Sequence, residues 1–197
     1  MIKRYGLLTI VKLMISYLYT KVFFRQARLI RLPFDVRNRS AIHFGKNFTT
    51  GYGCRIEAYP RDNKKVLIIG KNVQINDYVH ITAMESINIG DNVLMASKIY
   101  ISDCSHGSYS GDINDSNPNS IPAKRPLFSK PVVIEDNVWL GEFVSVLPGV
   151  TIGKGTIVGA NSVVSKSLPN HVIAVGSPAK PIKKFNFEIN KWEKIKQ

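Results

Sequence analysis

A six-residue repeat of aliphatic residues constrains the fold of this chain more than any other feature. In the C-terminal half an aliphatic residue recurs at every sixth position, at Ile134, Leu140, Val146, Ile152, Val158 and Val164. A second, small or β-branched position keeps the same spacing, at Val138, Val144, Val150, Thr156 and Ser162. An α-helical face repeats near 3.6 residues and a strand near two, so neither explains a period of six. The repeat indicates a parallel β-helix in which each hexad forms one short strand and its corner.

The same spacing covers most of the chain, with two long interruptions. Earlier repeats fall at Phe44, Thr50 and Ile56, then Ile69, Ile75 and Ile81, then Ile89, Met95 and Ile101. A charged insertion at 59–65 follows the first set, and a loop at 107–131, rich in Ser, Asn, Asp, Gly and Pro, follows the last. Three six-residue strands per coil predict a triangular prism of about 18 residues per turn. A loop this long within a compact repeat is usually functional or disordered.

Glycine and asparagine recur at fixed places in the hexads. Glycine directly follows the aliphatic residue in many of them, at Gly45, Gly70, Gly90, Gly141, Gly153 and Gly159. Asparagine comes three residues after it, at Asn72, Asn92 and Asn137. Both residue types tolerate unusual backbone angles, so we expect both to occupy corners of the prism for that reason.

Both ends of the chain differ from the repeat. Apolar residues from about 3 to 30 have helical spacing with basic residues on other faces, and Pro33 ends that segment. A short helix is predicted from about Phe187. The predicted organisation is a basic amphipathic helix at 1–33, an all-β parallel β-helix domain at 34–184 and a helical tail at 185–197.

The N-terminal helix has two interpretations. It packs on its own domain or on a neighbouring subunit, or it lies on an anionic lipid surface. The uncharged run between Lys12 and Lys21 is too short to span a bilayer, and no signal-peptide cleavage site follows it. We therefore expect a cytoplasmic protein, with the inner face of the membrane as its alternative location.

The net charge of +13 is concentrated near the two ends of the chain. It indicates either a basic surface kept for solubility or an anionic partner such as a phosphate-bearing cofactor or a membrane. No nucleic-acid-binding module accompanies it, so no nucleic-acid partner is expected. Cys54 and Cys104 form no C-x-x-C pair, so we expect a reducing compartment and no metal site.

The hexads resemble those of the hexapeptide-repeat acyltransferases. The segments that carry the resemblance are Ile134-Glu-Asp-Asn-Val-Trp-Leu-Gly141, Val146-Leu-Pro-Gly-Val-Thr-Ile-Gly153, Val158-Gly-Ala-Asn-Ser-Val-Val164 and Gly176-Ser-Pro-Ala-Lys180. Two further segments are similar to O-acetyltransferases of O-antigen, capsule and exopolysaccharide biosynthesis, namely Val73-Gln-Ile-Asn-Asp-Tyr-Val-His80 and Ile101-Ser-Asp-Cys-Ser-His-Gly107. The resemblance covers about residues 44–184 closely.

This resemblance implies a left-handed β-helix that assembles as a homotrimer, with active sites between neighbouring prisms. It implies acetyl-CoA as the acyl donor and a saccharide acceptor, a sugar hydroxyl of a bacterial surface polysaccharide or its precursor. The family transfers the acyl group directly, within a ternary complex.

Direct transfer requires a base that removes the proton of the attacking hydroxyl, and a neutral histidine suits that role. Of the four histidines, His43 lies at the first edge of the prism and His171 in a terminal turn. His80 is interpreted as structural or substrate-lining. His106 lies at the mouth of the long loop and matches the family's base in a Ser-Asp-x-x-His-Gly motif. We therefore predict that His106 is the general base.

A catalytic histidine needs a partner that orients its other ring nitrogen. Asp103 is the first candidate, and a backbone carbonyl, Asp112 or Asp115 are alternatives. Cys104 stands where the family often has another histidine. A nucleophilic role for that cysteine is the alternative to direct transfer.

Two further sets of residues follow from the resemblance. Asn76 and Asp77 are candidates for acceptor binding, although Asn and Asp are also common corner residues. The candidates for cofactor binding are Trp139, Gly141, Ala160, Ser165, Lys166, Lys180 and Lys183. The basic and hydroxyl groups suit phosphates, and the small residues allow close backbone approach, although they also suit plain corners. For Trp139 the alternative is an exposed packing residue, and for the oxyanion a backbone N–H near Ser97 or Gly141 is expected.

Three other functions compete with this one. An N-acetyltransferase acting on an amino sugar, including a nucleotide-linked one, shares the base and the cofactor. A metal-dependent hydratase needs converging histidines, and this sequence has no close pair. A non-catalytic solenoid would leave the long loop without a function.

Overall fold

The computed structural model describes residues 6–195; Lys3, Arg4 and Lys196 of the predicted basic ends lie outside this range. It contains one α-helix, α1 (Leu7–Phe23), and two short 3-10 helices, Arg39–Ala41 and Pro122–Lys124. The strands are β1 (Phe34–Arg37), β2 (Ile42–Phe44), β3 (Cys54–Ala58), β4 (Leu67–Ile69), β5 (Gln74–Ile75), β6 (His80–Ala83), β7 (Ile87–Ile89), β8 (Leu94–Met95), β9 (Tyr100–Ser102), β10 (Cys104–His106), β11 (Leu127–Ser129), β12 (Val132–Ile134), β13 (Trp139–Leu140), β14 (Ser145–Val146), β15 (Thr151–Ile152), β16 (Ile157–Val158), β17 (Val163–Val164), β18 (Val172–Val175), β19 (Lys180–Asn186) and β20 (Lys191–Lys194).

The strands form the three faces of a prism. Sheet 1 contains β2, β4, β7, β12 and β15; sheet 2 contains β5, β8, β13, β16 and β18, extended by β19 and β20; sheet 3 contains β1, β3, β6, β9, β14 and β17. The chain visits the sheets in the order 1, 2, 3, and equivalent strands of successive coils pair in parallel. The parallel β-helix predicted from the six-residue repeat is confirmed.

The repeated aliphatic residues point into the prism. Val146, Ile152, Val158 and Val164 are fully buried, and Ile134 and Leu140 are no more than 1% exposed. The second repeated position, which runs from Val138 to Ser162, is buried as well. Burying one such aliphatic side chain contributes about 1.5–3 kcal/mol, so the stacked column stabilises the prism along its whole length.

The corner asparagines and glycines have different physical roles. Asn72, Asn92 and Asn137 have φ values of 57°, 59° and 59°, which confirms that these corners need unusual backbone angles. The glycines that follow the aliphatic residues do not have positive φ. At Gly141 a Cβ atom would lie 2.7 Å from the backbone nitrogen of Ala160 on the next coil. The prediction for these glycines was therefore wrong in its cause, because stacked coils leave no room for a side chain there.

Both insertions emerge at one edge of the prism, between sheet 3 and sheet 1. Residues 59–65 connect β3 to β4, and residues 103–131 connect β9 to β12. Within the long insertion, β10 and β11 pair in antiparallel register, with His106 opposite Leu127. The Arg61 guanidinium donates to the carbonyl of Leu127 at 3.1 Å, so the two insertions touch. We call this edge the 3–1 edge and the one between sheets 2 and 3 the 2–3 edge.

The N-terminal helix is shorter than predicted and presents an unexpected face to the prism. It ends at Phe23, ten residues before Pro33, and residues 24–30 continue as irregular chain over the first coil. Its two buried residues are Ser16 and Thr20, whose hydroxyls accept hydrogen bonds from the backbone N–H groups of Leu32 and Ile30. Large apolar side chains instead face solvent, at Leu7, Leu8, Val11, Met14, Ile15, Leu18 and Val22. Within residues 6–195, no helix has the length and hydropathy needed to cross a bilayer.

The prediction of a C-terminal helix was wrong, because residues 180–194 form an antiparallel hairpin of β19 and β20. Strand β19 also pairs with β18 in antiparallel register. The rings of Phe185 and Trp192, opposite each other in the hairpin, pack edge to face at 5.2 Å. The free strand edge of β18 and this aromatic pair outweigh local helical preference.

Candidate active site

His106 lies on β10, where the long insertion leaves the prism, and its side chain is exposed. Strand pairing with β11 fixes its backbone. The Tyr109 hydroxyl also donates to the carbonyl of His106 at 2.6 Å, and the Arg125 guanidinium donates to that hydroxyl at 2.7 Å. Among residues 6–195 no hydrogen bond involves the His106 ring. Both ring nitrogens are thus open to a substrate and to a partner from outside the chain.

Asp103 does not orient His106. Its side chain is fully buried, and its carboxylate accepts backbone N–H groups of Met84, Glu85 and Ser86, each at 2.8 Å. These three donors form the turn between β6 and β7 in the preceding coil. The prediction for Asp103 is therefore corrected: the carboxylate ties the base of the long insertion to the previous coil.

The two aspartates considered as alternative partners for His106 also bind other groups. The Asp112 carboxylate accepts the Asn114 N–H at 2.7 Å, and the Asp115 carboxylate accepts the Gly111 N–H at 2.9 Å. Both bonds shape the loop itself. Within the described part of the chain, no acidic side chain orients His106.

Asn76 and Asp77 lie at the 2–3 edge, directly after β5. The Asp77 carboxylate accepts the Tyr52 N–H of the preceding coil at 2.8 Å. Asp91 and Asp136 make the same bond at another corner, to the N–H groups of Lys71 and Asp91. Asp77 thus has the geometry of a corner residue. Asn76 is half-buried, and among residues 6–195 its side-chain amide makes one long hydrogen bond, with Gln74 at 3.5 Å.

Trp139 lies within a column of outward-facing side chains that crosses sheet 2. The strand register aligns Leu94, Trp139, Ile157 and Ile173 on four successive coils, and Lys183 follows on β19. Trp139 is 47% exposed, so its indole is open to a ligand. Neighbouring strands are about 4.8 Å apart, which places Lys183 about 14 Å from Trp139. The column is therefore an apolar stripe that ends in a cation.

Gly141 and Ala160 lie next to this column, at stacked positions of the 2–3 edge. The N–H of Gly141 donates to the carbonyl of Val158 at 2.8 Å, so it cannot also stabilise an oxyanion. Ala160 is exposed. The small side chains leave this edge open for a ligand, although contact between coils alone already requires glycine at 141.

The four other cofactor candidates divide into two groups. Lys180 and Lys183 lie on β19, in register with Val175 and Ile173 of sheet 2. Ser165 and Lys166 follow β17 and are exposed at the 3–1 edge. One prism therefore carries Trp139, Gly141, Ala160 and the two β19 lysines on one side, and His106 with Ser165 and Lys166 at another edge.

A groove beside the His106 hairpin was not predicted from the sequence. It lies between the two insertions and has a volume of about 470 Å³. Arg61, Lys64, Lys65, Met84 and Phe128 contribute to its walls. The cluster of charged residues in the 59–65 insertion is the sequence feature that could have indicated this groove.

The two cysteines differ in environment, and neither pairs with a histidine in residues 6–195. Burial raises the pKa of the Cys54 thiol to about 11, which makes it a poor nucleophile. Cys104 is half-buried, with its sulfur 3.5 Å from the Ser102 hydroxyl. No group of three or more His, Cys, Asp or Glu side chains that could hold a metal occurs within the described range.

Comparison with known proteins agrees with this architecture. The family model "Bacterial transferase hexapeptide (six repeats)" matches residues 131–166. The chain is 50% identical over 192 residues to the Escherichia coli (strain K12) protein named "Putative lipopolysaccharide biosynthesis O-acetyl transferase WbbJ", covering 98% of this chain and 96% of that protein. It is 34% identical over 118 residues to the galactoside O-acetyltransferase of the same organism, covering 60% of this chain and 54% of the relative.

Solved structures share the fold. A point mutant of AntD, an N-acyltransferase from Bacillus cereus in complex with dTDP-4-amino-4,6-dideoxyglucose and Coenzyme A, superposes with a TM-score of 0.66 at 25% identity and covers 82% of each chain. PerB from Caulobacter crescentus, in complex with CoA and GDP-perosamine, superposes with a TM-score of 0.55 at 22% identity, covering 84% of this chain and 65% of that one.

The prism and its hexads are those of an acyltransferase built on a left-handed parallel β-helix. The chain belongs to the bacterial hexapeptide-repeat transferase family, as its full-length relative and the repeat match show.

Proposed function

We propose that this enzyme transfers the acetyl group of acetyl-CoA to a sugar hydroxyl of a bacterial surface polysaccharide or its precursor. The observation that carries the proposal is the exposed His106 imidazole, whose ring is unpaired among residues 6–195 while its backbone is fixed by strand pairing and by Tyr109. The name of the full-length relative supports lipopolysaccharide biosynthesis as the setting.

In the proposed reaction, the neutral His106 imidazole accepts the proton of the acceptor hydroxyl as its oxygen attacks the thioester carbonyl. The C–O bond forms, the C–S bond breaks, and the thiolate of CoA leaves with a proton from the imidazolium. The imidazole is thereby regenerated, so no covalent acyl-enzyme is needed.

The apolar stripe on sheet 2 is the proposed donor site. The pantetheine arm of acetyl-CoA lies against Trp139 and along the open edge at Gly141 and Ala160. Lys180 and Lys183 at the end of the stripe pair with its phosphates. No metal takes part in this scheme.

The proposed assembly is a homotrimer whose active sites lie between neighbouring subunits. His106 lies at the 3–1 edge, whereas Trp139 and its neighbours lie on sheet 2 and at the 2–3 edge. Sheet 3 separates these two regions within one chain, so the site is complete only when two copies stand side by side. Ser165 and Lys166 at the 3–1 edge then face the donor bound to the next subunit.

Acetyl transfer to a panel of lipid-linked, nucleotide-linked and free glycans, read by mass spectrometry, tests the reaction. The expected product carries one acetyl ester that mild alkali removes. Release of CoA without an acetylated glycan, or no CoA release with any acceptor, would contradict the proposal.

N-acetylation of a nucleotide-linked amino sugar is the second candidate. The solved structure that superposes with a TM-score of 0.66 is an N-acyltransferase in complex with such a sugar. Amino-sugar nucleotides therefore belong in the same panel, and an alkali-stable acetyl group on their amine would favour this alternative.

The N-terminal helix is proposed to hold the enzyme on the inner face of the cytoplasmic membrane. Its apolar side chains face solvent, and the polar Ser16 and Thr20 face the prism. Residues 1–34 contain no Asp or Glu but several Lys and Arg, the composition that suits an anionic lipid surface.

Vesicle flotation tests this contact. Binding to vesicles rich in phosphatidylglycerol is expected, with little binding to phosphatidylcholine, and L18E is expected to weaken it at least ~10-fold because a charge replaces a membrane-facing leucine. I113E, at an exposed apolar loop position, is the matched control. If L18E instead dissociates the oligomer and leaves vesicle binding unchanged, the apolar face is a subunit contact and the membrane proposal fails.

A further inference from the structure

A buried carboxylate on sheet 3 has no role in the reaction proposed above. The Glu57 side chain is 7% exposed. It accepts hydrogen bonds from Arg37 at 3.1 Å, Tyr59 at 3.1 Å and Thr82 at 2.9 Å, and it lies 2.9 Å from His80 Nε2. Burial alone would raise the pKa of Glu57, but the hydrogen bonds from His80, Thr82 and Tyr59 outweigh it and keep the pKa below its usual value. Glu57 is thus an ionised anchor for the side chains around it.

Three side chains beside Glu57 form an outward-facing row across three coils of sheet 3. Strand register places Arg55, His80 and Tyr100 side by side on β3, β6 and β9. The rings of His80 and Tyr100 lie 5.5 Å apart, and an Arg55 nitrogen lies 2.8 Å from His80 Nε2 and 3.3 Å from Nδ1. The Glu57 carboxylate lies 2.9 Å and the Thr82 hydroxyl 2.8 Å from His80 Nε2, so this nitrogen is engaged within sheet 3 and His80 acts as a support beside Arg55.

The exposed parts of this row have the chemistry of a sugar-binding surface. Arg55 is 43% exposed and has more N–H donors than its contacts with His80 and Glu57 use. Tyr100, 38% exposed, adds an aromatic ring on which the apolar face of a sugar can pack. Hydroxyl groups and C–H faces are the features that such a pair of side chains recognises.

Charge favours a neutral ligand over a phosphate. Arg37 and Arg55 are balanced by Asp35 and Glu57, with Arg37 bridging both acids at 2.9 and 3.1 Å. Two positive and two negative groups leave no net charge to attract an anion. The recognition offered here is by hydrogen bonds and ring packing.

The row also lies within reach of His106. Tyr100 and His106 are six residues apart on one chain segment, so their backbones are at most about 22 Å apart. The two backbones are therefore close enough for one acceptor chain to contact Tyr100 and present a hydroxyl to His106.

The geometry points to Arg55, His80 and Tyr100 as a binding subsite for a neutral sugar unit of the acceptor chain, other than the unit that is acetylated. This inference rests on the proposed function, because it gives that reaction an oligosaccharide acceptor. It assigns sheet 3 a role in acceptor length selection that the hexads alone do not require.

The test uses the full-length enzyme and two acceptors from the active panel, an oligosaccharide and the single sugar that it contains. For Y100A and R55K, the ratio of kcat/KM for the long acceptor to that for the short one is expected to fall about tenfold. R55K keeps the charge opposite Glu57 but loses the planar set of donors. R37K is the matched control, because Arg37 contacts Glu57 from β1, on the side of β3 away from Tyr100. For R37K, the ratio of the two kcat/KM values is expected to stay at the wild-type value.

Binding measured without acetyl-CoA separates the two proposals. Calorimetric titration with the oligosaccharide is expected to show weaker binding by Y100A and R55K than by R37K, with thermal unfolding and oligomeric state unchanged. An unchanged acceptor ratio and unchanged binding in both variants, or a loss of the oligomer, would overturn the subsite. If the wild type binds the glycan at this row but acetylates no acceptor, the subsite stands and the proposed reaction fails.

Discussion

Replacing His106 by alanine is expected to lower kcat for acetyl transfer by about 100- to 10,000-fold, the usual contribution of a positioned general base. No other histidine among residues 6–195 combines an exposed, unpaired ring with a position at the long insertion. Steady-state CoA release, measured with saturating acetyl-CoA and acceptor, gives the rate.

The His106 variant should otherwise remain intact, since the side chain makes no hydrogen bond within the described chain. CoA binding by calorimetry and the oligomeric state by light scattering are expected to match the wild type. H43A is the control, because His43 is also exposed but lies on the first coil of sheet 1. A rate for H106A within threefold of the wild type would show that another group removes the proton.

Replacing Asp103 by alanine is expected to lower the free energy of unfolding by about 3 kcal/mol. The substitution leaves the N–H groups of Met84, Glu85 and Ser86 without their acceptor, and each unsatisfied buried donor costs about 1–3 kcal/mol. The expected loss of about 3 kcal/mol is the lower end of the range for three such donors, because these N–H groups are only partly buried. Denaturant titration of the purified protein measures the change.

D112A is the control for Asp103, because Asp112 bonds only within the exposed loop and its loss should cost no more than about 0.5 kcal/mol. The pH profile of the residual D103A activity distinguishes an anchor from an orienting group. Removal of a carboxylate that pairs with His106 would shift the pH profile, whereas loss of a distant anchor leaves the profile unchanged. Wild-type stability with a shifted profile would contradict the structural role.

The regular part of the fold was predictable because a fixed period determines which side chains point inward. The burial of Ile134 to Val164 follows from that period alone. The asparagine corners were predictable because asparagine adopts positive φ readily. The corners at Tyr78, Lys98 and Phe143 have positive φ as well, but these residue types gave no signal for it. The reason for glycine at position 141 could not be predicted, because it depends on the distance between two coils.

The site was only partly predictable. His106 was predicted as the base from its motif and its place beside an insertion, and that role stays a prediction. Its surroundings depend on pairings between distant segments. Asp103 is three residues away in sequence, yet its carboxylate faces the turn at Met84 to Ser86. The row of Arg55, His80 and Tyr100 was equally hidden, because its members are brought together by coil stacking across 45 residues of sequence.

The terminal hairpin has a consequence for how the molecule behaves in a crowded solution. A stack of parallel coils ends in strands with free backbone groups, which can pair with another molecule and start a fibre. Here β19 and β20 reverse the chain direction beside β18, and lysines occupy both strands, including Lys180, Lys183, Lys191 and Lys194. At the opposite end, residues 24–30 place Phe24, Ala27 and Ile30 over the first coil. The two caps therefore oppose end-to-end polymerisation, which the repeat itself would otherwise favour.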